Sequence, residues 1–245
     1  LEVTLVLLLI LFCVAVLAGW IDTLAGGGGL IVLPVLLFVG MPPLAALATN
    51  KSQGCVGTFT ATFSLFRQGY LRDRSLIKLV LYAAMGAALG TLLIQHINTD
   101  FLNWAIPALL ISVAIYFAFG NLTPKAKKRR FGDASVAAVG FYDGAVGPGT
   151  GSFFAASGVA WRARSLVNAT IEAKLFNFTT NIASLVLFAA GGQVVWSIGL
   201  TMMLGQAIGA WFASHNIVTL GSKIIRPLVI LMCLLLSAQQ IWQLF

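Results

Sequence analysis

The sequence predicts an all-α polytopic membrane protein made of two inverted-topology repeats, each a broken helical hairpin plus three transmembrane helices. Three observations carry this expectation. First, 59% of the 245 residues are apolar and 9% are charged, whereas roughly a quarter of a soluble domain is charged; mean hydropathy is +0.96. Second, one pattern occurs twice. Gly19-Trp20-Ile21-Asp22 runs into Gly26 to Gly29, and Gly140-Phe141-Tyr142-Asp143 runs into Gly147-Pro148-Gly149-Thr150-Gly151. In each copy an Asp precedes a glycine-rich break, and a short apolar run then leads to a polar helix bearing Lys51 or Lys174. Third, the connections between apolar runs alternate between basic and neutral along the chain, the signature of a fixed orientation in a bilayer.

The first repeat covers residues 1–122. Its opening apolar run, 1–24, has no basic segment before it and ends in the repeated motif, so it is read as part of the fold rather than as a signal peptide. As a helix it is about 36 Å long, more than a half-membrane arm needs. After the break, 30–40 spans only about 15 Å. Full spans are predicted at 44–66, 76–95 and 101–122, each close to the ~20 residues that cross a core of about 30 Å. A basic linker, 123–133, joins the repeats. The second repeat, 134–245, opens with a hairpin whose return arm is 152–161 and continues with spans at 166–190, 194–215 and 226–245.

The connections at 67–74 and 125–130, Arg162 with Arg164, and Lys223 with Arg226 carry the cations and are expected in the cytoplasm. Those at 40–43, 96–100 and 191–193 carry no Lys or Arg and are expected outside. The classes alternate only if each motif region turns back on itself. The first hairpin then enters from outside, the second from the cytoplasm, and both termini lie outside. The three spans after each hairpin, an odd number, invert the second repeat relative to the first. The net charge of +8 is explained by these connections, and no nucleic-acid partner is expected; the partners are the lipid bilayer, a small anion and a proton or other coupling ion.

Counting along the helices places the chemistry. Lys51 lies eight residues after Pro43 and Lys174 nine after Ser165, which sets both backbones about 12–14 Å inside opposite faces, near the midplane. The hairpin tips reach the same depth. A break leaves amides without intrahelical partners at the start of the second half-helix, where the dipole favours an anion. The predicted cradle is Gly26, Gly27, Gly28 and Gly29 with Gly147, Gly149, Thr150 and Gly151. Lys51 and Lys174 are anion anchors, and Asn50, Gln53, Asn177 and Asn181 supply amides. Asp22, Asp143 and Glu172 are candidates for ion coupling.

Each reading has a structural rival. Glycines also permit close helix packing, which is the expectation for Gly86, Gly90, Gly205 and Gly209 at small-xxx-small spacing. For Asp22 and Asp143 the rival is a purely structural role as hairpin caps or lysine partners, and for Glu172 a role as partner to a basic neighbour. Cys13, Cys55 and Cys233 read as buried apolar side chains without metal spacing. His96 and His215 read as span ends. An intramembrane hydrolase, prompted by Ser152 and His215, lacks an identified base within reach. No nucleotide-binding loop is present, no metal or other cofactor is expected, and the chain is not read as an enzyme.

Residues 26–34 (Gly26 to Pro34), Met41-Pro42-Pro43, Ala48-Thr49-Asn50-Lys51-Ser52-Gln53, the Gly140 to Gly151 motif and Lys174-Leu175-Phe176-Asn177-Phe178-Thr179-Thr180-Asn181 resemble the sulfite/organosulfonate exporter family of TauE/SafE-type permeases. The resemblance covers both halves at the expected spacing. It implies a bacterial or archaeal inner-membrane protein with up to eight transmembrane segments that moves sulfite, sulfonates or related organic anions, commonly outward. Membership does not choose the anion, the direction or the oligomeric state.

Overall fold

A computed structural model describes residues 4–96, 111, 115, 118–119 and 131–242. Every element among them is helical, and we label them in chain order: α1 (Leu5–Ala25), α2 (Gly28–Phe38), α3 (Pro43–Arg67), α4 (Leu76–Ile94), α5 (Ala134–Ala145), α6 (Thr150–Arg162), α7 (Leu166–Ala190) and α8 (Trp196–Trp242). The all-α expectation holds. The predicted span 101–122 and the basic linker 123–133 lie almost wholly outside the described residues. Three of the helices, α1, α4 and α7, are long and apolar enough by themselves to cross a membrane. Helix α3 is as long as α7 but carries a polar stripe, Thr49 to Gln53, which is buried inside the bundle.

Both glycine breaks make hairpins. Gly26 ends α1 in the left-handed region (φ 75°), and its N–H donates to Asp22 O at 2.6 Å. Helix α2 then folds back along α1, so that Leu11 of α1 and Leu36 of α2 share an apolar cluster with Met41 and Ala46. At the second break Gly147 and Gly149 adopt φ of 91° and 78°, and the Tyr142 hydroxyl donates to Pro148 O at 2.7 Å across the turn. Asp133 before α5 and Arg162 at the end of α6 line one surface pocket with Ser75 and Lys78. The two arms of this hairpin therefore return to one face, which is the turn-back that the basic connections require.

Among the described residues, the basic connections at 67–74 and 162–164 lie together, and the neutral ones near 95 and 193 lie together. Arg164 pairs with Asp73 at 3.2 Å, joining the 67–75 loop to the end of α6. Opposite, Gln193 Nε2 donates to Gln95 Oε1 at 3.4 Å, and Leu47, Ile94, Phe188 and Val194 form one cluster. Helices α3, α4 and α7 run between these two faces, and α8 starts from the neutral one.

Helix packing is led by two pairs, α1 with α8 and α4 with α5. A methyl added at Gly140 would stand 2.6 Å from Ala83 O. Gly86 and Gly90 likewise lie on the carbonyls of Ala137 and Phe141, and Gly205 and Gly209 on those of Phe12 and Val16. The packing expected of these four glycines is confirmed. Without water to drive association inside lipid, such close backbone approach supplies the contact energy between helices.

Two expectations are corrected. The spans at 194–215 and 226–245 are one helix, α8, of 47 residues. The boundary between them was inferred from Lys223 and Arg226, and charge does not end a helix; Pro227 lies inside α8, where it removes one hydrogen bond and need only bend the axis. His215 therefore lies within this helix, about 29 Å along it from Trp196. Cys13 is exposed on the outer face of α1 while Cys55 is buried, because the lipid-facing side of a membrane helix is as apolar as its core.

Candidate functional site

The two hairpin tips meet. Gly26 and Gly151 approach so closely that a methyl on either would run into the other's backbone, and Ser152 Oγ donates to Ala25 O at 2.6 Å. The sequence thus spends two of its break glycines on contact between tips.

Around the tips each half supplies a lysine to the other half's aspartate. Lys51 Nζ lies 2.7 Å from Asp143 Oδ1. Lys174 Nζ lies 3.7 Å from Asp22 Oδ2 and donates to the Asp22 main-chain carbonyl at the end of α1. The lysines are 1% and 0% exposed, so neither reaches water along its stem. An isolated ammonium is costly at such depth, and the aspartates account for how both are tolerated. The aspartates also organise the turns: Gly28 N–H donates to Asp22 Oδ1 at 3.0 Å, and Thr150 Oγ1 lies 2.7 Å from Asp143 Oδ1. Capping and lysine pairing, the structural roles foreseen for Asp22 and Asp143, are both present.

A polar cavity of about 20 Å³ lies between the tips, room for about one water molecule. Asp22, Gly26 and Gly29 line it from the first hairpin, and Asp143, Gly147, Gly149 and Thr150 from the second. Helix α3 contributes Asn50, Lys51, Gln53 and Gly54; α7 contributes Asn177 and Asn181. Amides order the wall: Gln53 Nε2 donates to Asn50 Oδ1 at 2.9 Å, and Asn181 Nδ2 to Asn177 Oδ1 at 3.3 Å.

The remaining predicted residues fall outside this lining. Gly27, Gly28, Gly151 and Lys174 form a second layer; Gly28 and Lys174 bond to Asp22, and Gly151 touches Gly26. Glu172 belongs to a separate cluster near the basic face, with Arg162 Nη2 at 2.7 Å and Arg164 Nε at 2.8 Å. Ser152 is committed to the tip contact, and His215 is exposed.

Gln206 of α8 lines the cavity and was not anticipated. Its signal was a lone amide in an otherwise apolar stretch, between Gly205 and Gly209. Intramembrane polar residues face a bundle interior or a solute path as a rule. Its side chain lies over Gly57, where a methyl would meet Gln206 Cγ.

The family described as "Sulfite exporter TauE/SafE" matches residues 11–239. A "Probable membrane transporter protein" of Haemophilus influenzae is 40% identical over 245 residues, covering 96% of this chain and 95% of that protein. The "Probable membrane transporter protein YfcA" of Escherichia coli K12 is 40% identical over 244 residues, covering 96% and 90%. A "Probable membrane transporter protein ORF9" of a Sinorhizobium species is 39% identical over 237 residues, covering 94% and 91%. No solved structure matches the chain. With a matched family over nearly its whole length and bacterial membrane transporters as relatives, this chain belongs to the TauE/SafE family of membrane transporters.

Proposed function

We propose that the protein is a secondary transporter of small sulfur-containing or related organic anions, such as sulfite or sulfonates, working by alternating access in the bacterial inner membrane, with export as its direction. The observation that carries this reading is the crossed pairing of Lys51 with Asp143 and Lys174 with Asp22 around a polar cavity at two hairpin tips. Residues 1–122 and 134–245 are the two inverted repeats, the face bearing Arg67, Arg162 and Arg164 is cytoplasmic, and the N-terminus is outside. Support comes from the opposed hairpins and from the symmetry of the packing, in which the first arm of each hairpin lies on a helix of the other half. Broken helices meeting near the midplane at a repeat interface are the usual construction of a solute site in transporters.

In this reading Lys51 is the anion anchor that faces the cavity, Lys174 holds the first tip in place behind it, and the lining amides orient the substrate oxygens. A cavity the size of one water is an occluded form, and rocking of one hairpin against the other opens it. The same groups in a continuous pore would make an anion channel, and an uptake permease would run the same cycle inward.

The test is a binding screen of purified protein against sulfite, sulfate, thiosulfate, sulfoacetate, taurine and small carboxylates, read as thermal shifts. Saturation at about 100 Kd should stabilise the protein by about 2.7 kcal/mol. Stabilisation by a sulfur oxyanion or sulfonate, together with uphill movement in liposomes, is the expected result. Stabilisation by none of these anions would refute the substrate class, and strictly downhill flux would favour the channel.

A further inference from the structure

Three acceptors of the cavity wall have no donor. Asp143 Oδ2, Gln53 Oε1 and Gln206 Oε1 are buried with no hydrogen-bond partner among the described residues, and each residue lines the cavity and is 1% exposed. A buried acceptor left without a donor loses its hydration and gains nothing in return. Three around one small space point to a common missing partner.

The other aspartate provides the control. Asp22 Oδ1 accepts from Gly28 N–H at 3.0 Å, and its Oδ2 faces Lys174. On Asp143 both neighbours, Lys51 and Thr150, crowd onto Oδ1 at 2.7 Å each, leaving Oδ2 bare. Gln53 is oriented by the bond from its Nε2 to Asn50, which leaves its oxygen without a partner. Gln206 is seated against Gly57 of α3.

We propose that Asp143 Oδ2, with the amide oxygens of Gln53 and Gln206, forms the proton-binding site of the transport cycle. A proton on Oδ2 turns one of the three bare acceptors into a donor, and it stays on the carboxyl group while its O–H donates a hydrogen bond to a glutamine oxygen directly or through one water, for which the cavity has room. No covalent step is involved: the carboxylate takes up one proton from solution and Lys51 stays an ammonium. The charged groups facing Asp143 are few. Lys51 comes from α3, and Asp22 lines the cavity's opposite side with Lys174 bonded to it. Among the described residues that line the cavity, the other elements supply neutral groups: Thr150 of α6, Asn177 and Asn181 of α7, and Gln206 of α8; Thr91 of α4 and Ser184 of α7, which bond to each other beside the Gly144 carbonyl, are neutral too.

This inference rests on the anion-transport reading for its consequence. With Asp143 neutral, the Lys51 charge is released to an arriving anion, so one proton and one anion load together and move in the same direction. Net direction then follows the sum of the two gradients.

The experiment is pH-difference infrared spectroscopy of the purified protein without added anion, following the carbonyl stretch of a protonated buried carboxylic acid. Because no anion is present, its outcome is separate from that of the anion screen. The wild type should show one titrating band, lost in Asp143→Asn, retained in Asp22→Asn, and shifted in frequency in Gln206→Met, which keeps the carboxyl group but removes its acceptor. A band that survives Asp143→Asn, or that vanishes equally in Asp22→Asn, overturns the assignment. Thermal unfolding in sodium chloride against choline chloride is the second arm. Equal unfolding temperatures are expected, and stabilisation by sodium that is lost in Gln206→Met would replace the proton with a metal cation.

Discussion

The two buried lysine–aspartate pairs come from the same repeated motif and are put to different use. Lys174–Asp22 is sealed at its lysine: Asp22 reaches the cavity wall, but the ammonium is taken by both the carboxylate and the end of α1, and the carboxylate caps the next helix. Lys51–Asp143 faces the cavity, with one carboxylate oxygen left without a partner. The difference teaches that internal symmetry in the sequence need not mean symmetry in the chemistry. One pair acts as a fastener for the tips and the other is available to ligands.

The largest effect should come from opening the sealed pair. Lys174→Met leaves Asp22 buried and uncompensated, and removing one partner of such a pair costs about 3–5 kcal/mol. Thermal unfolding in detergent should register this as a large loss of stability, and a near-normal unfolding temperature would mean that the pair is no fastener. Gly28→Ala tests the same side by packing, since the added methyl would stand 2.6 Å from Asp22 Cβ and 2.8 Å from Ala18 O. Overpacking of this kind costs about 1–3 kcal/mol, again read as a lower unfolding temperature.

On the open side, Thr150→Val removes one hydroxyl from Asp143 Oδ1. The expected loss is about 1 kcal/mol of stability; a loss as large as that of Lys174→Met would erase the distinction between the pairs. The smallest effect belongs to Asp73→Asn, far from either pair. The Ser75 backbone N–H, 2.9 Å away, leads the contacts that hold the Asp73 carboxyl below the usual carboxylate range, with Arg164 assisting. Its contribution is therefore present above the unfolded value near 3.9 and lost as pH falls through the folded one. The variant should unfold slightly earlier than wild type at neutral pH, and that gap should close in acid.

Much of this arrangement is legible in the sequence because lipid allows few ways to satisfy a polar backbone. The glycine breaks follow from length counting and the described hairpins agree with them, and of the basic connections the 67–74 loop and the end of α6 lie together as expected. The 47-residue α8 was missed because its division rested on Lys223 and Arg226, which orient a chain without bending it. Gln206 is not legible from the repeat because it has no counterpart in the motif. The sequence also could not say that lysines and aspartates pair across the halves rather than within them. That depends on how the hairpin tips interdigitate, a tertiary fact with no local signal.

The central claim is that Lys51, and not the sealed lysine, presents its charge to the transported anion. The most direct measurement is the affinity of Lys51→Met for the anion that stabilises the wild type, from the concentration dependence of the thermal shift, beside Lys78→Met at the exposed end of α4. A buried charge-assisted contact contributes about 1.5–3 kcal/mol, so Lys51→Met should weaken binding by more than about tenfold while Lys78→Met leaves it unchanged. Equal affinities in the wild type and Lys51→Met, or equal losses in both variants, would contradict the account.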